Sequence, residues 1–308
     1  MLTGYLAAEG FEPELRTELQ DRRIVAEHGR LLLAEGEPVA AAWAANIWHQ
    51  PQEFPIASIG EAAGILKGMQ RNWAAYAPLH HRRAKLIQEK LPHVSAKPLR
   101  FGDLPPKAPM GSFTLLAPDR MLASGQCSSP LPHGDWAFQE DREGPPSRAY
   151  LKLWEALTRF ALLHGEMPKP GEATIDLGAC PGGWTWVLAG LGARVDAIDK
   201  APLAPNVAAM PGVTWRQGSA FALDPRQEPA VDWLCSDVIC YPARLLALVQ
   251  RWIAADKALR MICTLKFQGE TDHATAAAFA AIPGGTLLHL HHNKHELTWL
   301  WRKPGLKA

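Results

Sequence analysis

The sequence has no apolar stretch of about 18 residues or more, which argues against a membrane-spanning helix. Its opening residues, MLTGYLAAEGFEPELRTEL, carry acids where a signal peptide needs a basic start, an apolar stretch and a cleavage site. Cysteine is sparse. Cys127, Cys180, Cys235, Cys240 and Cys263 are odd in number, scattered and never spaced CxxC. This argues against a disulfide framework and a zinc site, and fits a reducing cytoplasm with no membrane partner. Internal repeats are lacking too, and a net charge of +1 makes no global demand for a nucleic-acid partner.

What is there is distributed unevenly. Residues 1–66 hold 4 Lys/Arg against 10 Asp/Glu, whereas 67–107 hold 9 against 2, with His80, His81 and His93 besides. A basic stretch inside a neutral chain is either an electrostatic footprint for phosphates or a solvated helix face.

At 308 residues the chain is long enough for two domains. Residues 1–95 mix short apolar runs such as Arg30–Ala34 with helical-looking segments, Ile59–Ala75 and Pro78–Leu91. Between 96 and 146 prolines, glycines and serines accumulate, and one strand, Ser112–Ala117, is expected within that connector. After Pro146 the texture becomes regular. A helix is expected from Ser147 as N-cap, with Leu151, Trp154, Leu157 and Phe160 on its apolar side.

Strands are expected at Ala173–Leu177, Ala193–Ile198, Val213–Arg216, Val231–Ser236, Arg260–Leu265, Thr286–His291 and Glu296–Trp301. Helical segments at Gly183–Leu191, Pro242–Ala255 and Thr271–Ala281 separate several of them. This alternation predicts an α/β fold over 147–308, an open and mostly parallel sheet with helices on both faces. The last two strands lack an intervening helix, so one edge strand should run antiparallel. Ligands on such sheets bind beyond the carboxyl ends of the strands.

The stretch Asp176–Trp186, DLGACPGGWTW, follows an apolar run and packs Gly178, Gly182 and Gly183 into six residues. No Lys-Ser/Thr follows, so it is not a triphosphate loop. Cys180 stands where a dinucleotide fold needs its second glycine, which disfavours a pyrophosphate. A ligand joining adenosine to an amino acid, S-adenosylmethionine, suits the loop better. Asp199 ends the next strand, 23 residues after Asp176, where an acid meets ribose hydroxyls in nucleotide-binding folds. The plainer role for Asp199 is a turn or cap residue. Trp184 and Trp186 read as packing.

Four charges stand where a plain core would not want them: Lys152 in the first helix, Asp237 after VDWLCS, Lys266 after MICTL, and Glu296 opening the last strand. With the glycine loop, these residues resemble the FtsJ-like ribose 2′-O-methyltransferases. The motifs SRAYLKLWEAL, DLGACPGGWT, CSDVI, CTLKF and HELTW carry the likeness over about residues 145–303.

The resemblance implies a Rossmann-like, class I S-adenosylmethionine-dependent fold with a seven-stranded, mostly parallel sheet. It implies Ser147, Asp176, Gly178, Cys180, Pro181, Gly182, Gly183, Asp199, Ser219 and Asp237 at the cofactor and a Lys152-Asp237-Lys266-Glu296 tetrad at the reaction. Lys266 would be the general base, a task that desolvation or a neighbouring cation makes possible for a lysine.

Ser219 departs from the family, which has an acid there to meet the adenine amino group. The branch most resembled acts on a cytidine of large-subunit ribosomal RNA, and with a lysine as base no metal is expected. The first 95 residues are only loosely similar to that branch's ferredoxin-like and THUMP-like α+β RNA-binding modules. A monomer acting on ribosomal RNA is therefore expected; another RNA, a small molecule or a protein is the alternative substrate.

Overall fold

The computed structural model describes residues 1–95 and 97–306; the connector's start at 96 and the chain's last two residues lie outside the described residues. The chain divides into two compact units, Met1–Leu99 with Leu104–Ala137, and Arg100–Asp103 with Phe138–Ala308.

In chain order the first unit contains β1 (Leu2–Ala7), α1 (Glu12–Glu18), β2 (Ile24–His28), β3 (Leu31–Glu35), β4 (Ala44–His49), β5 (Gln52–Pro55), α2 (Ile59–Met69), β6 (Trp73–Ala75), α3 (His81–Gln88), β7 (Gly111–Ala117), β8 (Arg120–Ser124) and β9 (Gln126–Cys127). Two sheets result, ordered β2-β3-β1-β4-β9 and β5-β8-β7-β6. Leu6, Leu33 and Trp48 pack beneath the first, while Leu66, Trp73 and Phe113 join α2 and α3 to the second. Residues 111–127, expected as part of a connector, thus supply three strands of this unit.

The expected helix over 59–75 is two elements. Ser58 caps α2 by accepting from the Glu61 amide, and Glu61 reaches back to the Ala57 amide. The helix ends at Gln70, whose backbone is extended, and Trp73 turns into a strand paired with β7.

The second unit contains α4 (Tyr150–His164), β10 (Ala173–Leu177), α5 (Gly183–Gly190), β11 (Arg194–Asp199), α6 (Pro205–Ala208), β12 (Val213–Gln217), β13 (Val231–Ser236), α7 (Pro242–Ala254), β14 (Ala258–Lys266), α8 (His273–Ala280), β15 (Gly285–Leu288) and β16 (Glu296–Arg302). Its seven strands form one sheet in the order β12-β11-β10-β13-β14-β16-β15. Sequence order reverses between β10 and β13, so the switch point opens above the end of β10.

One expectation is corrected. The reversed strand is not at the edge: β16 runs antiparallel to both β14 and β15 and lies between them. Six of its seven residues are buried, which demands a neighbour on each side. The reversal has a chemical consequence, because the first residue of β16 falls at the edge where the parallel strands end.

Candidate active site

The carboxyl ends of β10 to β14 converge on an open cavity of about 450 Å³. Around it stand Gly178, Cys180 and Pro181 from the glycine loop, Asp199 from β11, Ser219 after β12, and Asp237 after β13. Gly178 has φ +81, and a Cβ there would come within 2.8 Å of the Val238 backbone, so the tight turn requires glycine. Asp199 accepts from the amides of Cys180 and Ala201, both at 3.0 Å. Its turn role and its place at the cavity are therefore compatible, and its remaining lone pairs can accept ligand hydroxyls.

The structure does not bring every expected cofactor residue to the cavity wall. Gly182 and Gly183 lie behind it, where a Cβ on Gly183 would meet Ser147 Oγ at 2.7 Å. Ser147 is not the helix cap: Ala149 is, and Ser147 Oγ is buried without a partner. Asp176 is buried under the loop, where the Thr185 hydroxyl donates to its Oδ2 at 2.6 Å and Oδ1 has no partner. Burial pushes this carboxyl up to about 7; Thr185 opposes the shift, and the charges of Asp237 and Asp199 add to it.

Sequence reasoning missed Phe221 and Arg244, which face the same cavity with the Arg244 guanidinium 3.9 Å from the Phe221 ring centroid. Its position one turn into a helix after the Asp237 loop was the available signal for Arg244. Ser219 Oγ is used locally, accepting from the Phe221 amide at 3.3 Å.

The four expected charges meet. Lys152 Nζ donates to Asp237 Oδ1 and Oδ2 at 2.8 and 2.9 Å and to Glu296 Oε1 at 3.1 Å. Lys266 Nζ lies 3.1 Å from Asp237 Oδ1 and donates to the Asp237 carbonyl at 2.5 Å. Lys266 and Glu296 are register partners across β14 and β16. Burial works against a charged Lys152, but Asp237 and Glu296 outweigh it and hold the ammonium above its ordinary value.

A second cavity of about 630 Å³ lies on the other side of this group, with Arg148, Lys152, Lys266, His292, Lys294 and Glu296 among its walls. Lys266 and Ala149 line both cavities.

Residues 145–263 match the family model described as FtsJ-like methyltransferase. The likeness to the FtsJ-like methyltransferases lies within this unit. The chain is similar to individual proteins as well. The chain is 42% identical over 158 residues to the ribosomal RNA large subunit methyltransferase M of Halorhodospira halophila, covering 50% of this chain and 46% of that one. With the protein of the same name from Aromatoleum aromaticum it shares 38% over 166 residues, 49% and 44% of the two chains. For that from Alkalilimnicola ehrlichii the identity is 34% over 196 residues, 59% and 52%. The match thus spans about half the length of these relatives.

Among the described residues no group of three or more His, Cys, Asp or Glu side chains is placed to hold a metal ion. No described helix is long and apolar enough to cross a membrane.

Proposed function

We propose that this protein transfers a methyl group from S-adenosylmethionine to a ribose 2′-hydroxyl of large-subunit ribosomal RNA, at a cytidine. The observation that carries the reading is the position of Lys266, whose side chain faces both cavities while resting on Asp237. A hydroxyl entering from the second cavity meets Lys266 where the first cavity begins.

The first cavity suits the cofactor. Two carboxylates, Asp199 and Asp237, line it and would favour a sulfonium cation. Gly178, Cys180 and Pro181 would hold the amino-acid portion, Asp199 the ribose, and Ser219 with Phe221 the adenine. When bound, the cofactor supplies an electrophilic methyl group on sulfur.

The chain's own residues do the rest. Lys152, clamped by two carboxylates, stays charged and orients Asp237 and Glu296. Lys266 shares only Asp237 with it and, in its neutral form, takes the hydroxyl proton at Nζ. Glu296, beside Lys266 in the ladder, steadies the lysine or the ribose. Positioning the hydroxyl in line is the remaining contribution of the fold.

We assign the N-terminal unit to RNA recognition of the THUMP-like kind. Support comes from its α+β build and from α3, where Arg82 and Lys85 are exposed within the basic stretch. A cytoplasmic enzyme acting as a monomer fits this reading.

The test is transfer of tritiated methyl groups from S-adenosylmethionine to large-subunit ribosomal RNA, followed by alkaline digestion. Label in alkali-resistant dinucleotides is expected. Label confined to protein or small-molecule fractions would overturn the reading.

A further inference from the structure

The turn between β15 and β16 is built with unusual care for a surface connection. Glu155, fully buried on α4, accepts from the His291 amide at 2.8 Å and is balanced by Arg159 at 2.9 Å. The ring of His289, also buried, donates from Nε2 to the Lys294 carbonyl at 3.1 Å. Asn293 donates from Nδ2 to the Glu296 carbonyl and to Thr298 Oγ1, both at 3.2 Å. Three buried polar side chains thus fix the backbone of a seven-residue connection, an arrangement that preorganises whatever its outward groups contact.

Those outward groups face the second cavity. His291 and Lys294 are exposed on the turn, and His292 stands half-buried between them with its ring edge-on to His291, centroids 5.0 Å apart. His292 Nε2 is buried and has no hydrogen-bond partner. Leaving such an atom unmatched is unfavourable. Burial also pushes His292 down to about 4, with His291 and Arg148 acting the same way and Glu140 opposing them. The imidazole is therefore neutral at physiological pH and offers one hydrogen bond from Nε2. Around it the cavity wall carries Arg148, which pairs with Glu140 at 2.7 Å, together with Lys152, Lys266 and Lys294, against the carboxylate of Glu296. That balance suits a ligand bearing phosphate.

We propose that His292 is a specificity-determining contact to the acceptor nucleotide: its ring turns so that Nε2, covered in the free protein, hydrogen-bonds the nucleotide whose ribose is methylated, while Lys294 on the same turn holds a flanking phosphate. This rests on the methyl-transfer reading above and adds to it the side chains that select and seat the acceptor. The buried partners of the turn act at a distance: Glu155 is a positioning residue, since it touches the backbone of the turn and not the cavity.

The test compares His292→Ala, His292→Asn and His292→Gln in the full chain, with naked large-subunit ribosomal RNA as substrate. A glutamine amide nitrogen reaches about as far as imidazole Nε2, whereas an asparagine nitrogen stops near Nδ1. The Ala and Asn variants should raise KM for RNA about tenfold, with kcat within about threefold and the Kd for S-adenosylmethionine unchanged. His292→Gln should keep most of the wild-type KM.

Wild-type behaviour in all three, a Gln variant as impaired as Ala, or a parallel loss of cofactor affinity would overturn the assignment. Should the wild-type protein methylate no RNA, the functional reading fails. The site is then judged by binding of the same RNA to protein loaded with S-adenosylhomocysteine. Binding about tenfold weaker in Ala and Asn than in wild type and Gln upholds His292, and equal binding removes it.

Discussion

Lys152 and Glu296, 144 positions apart in the chain, meet at 3.1 Å in a buried ion pair that also contains Asp237. The pair joins the first helix of the second unit to the first residue of its last strand. It therefore closes the unit end to end while lining the site.

Breaking that pair should cost stability as well as activity. Lys152→Met removes the cation and leaves Asp237 and Glu296 with Lys266 alone. A loss of about 3–5 kcal/mol is expected, the range for an uncompensated buried charge. Thermal or urea unfolding measures it; a change below about 1 kcal/mol would show that the group is effectively solvated.

Lys266→Ala should lower the rate of methyl transfer by about 10²- to 10⁴-fold, the usual contribution of a positioned base. Cofactor affinity, read by calorimetry, should change little. Near-normal turnover by the purified variant would remove Lys266 as base.

Asp176 predicts a pH dependence of stability. Its folded pKa is raised to about 7, against about 3.9 for an unfolded aspartate. The folded state therefore binds this proton more tightly. The contribution is fully present below about pH 4 and is lost as pH rises through about 7. The full span is on the order of 4 kcal/mol, at about 1.36 kcal/mol per pKa unit. Asp176→Asn does not ionise, so wild-type stability should fall relative to it between about pH 4 and pH 7. Parallel stability curves would refute the buried acid.

Two glycines of the same segment should respond oppositely to alanine. Gly178→Ala forces a side chain into φ +81 and against the Val238 backbone, costing about 1–2 kcal/mol in backbone conformation alone. Cofactor affinity should fall at least about tenfold as the loop shifts. Gly190→Ala meets no atom within 4 Å at the end of α5 and should stabilise by about 0.5–1 kcal/mol. Similar effects at the two positions would contradict this account of the loop.

Ser219→Asp should tighten S-adenosylmethionine binding severalfold. Aspartate caps the Phe221 amide as serine does and adds the charge that an adenine amino group can meet. Unchanged affinity would mean that the adenine lies elsewhere.

Much of the second unit was legible in its residues. Strands such as Val231–Ser236 and helices such as Pro242–Ala254 declare themselves because apolar periodicity is a local property. Asp199, Asp237 and Lys266 were recognisable because charges ending apolar strands mark the edge where an α/β sheet binds ligands. The first unit was less legible. Its strands β8 and β9 lie among prolines and glycines, and β5 and β4, with which they pair, are distant in sequence.

By itself the sequence determined the α/β pattern, the glycine loop and the identity of the four charged residues, since each is written in a short stretch. Only the tertiary structure decided that β16 is inserted between β14 and β15, which sets Glu296 beside Lys266. It alone turned Asp176 and Ser147 away from the cavity wall and buried Glu155 to hold the turn that carries His292. The reason is that strand order and burial depend on contacts between residues far apart, and periodicity does not record them.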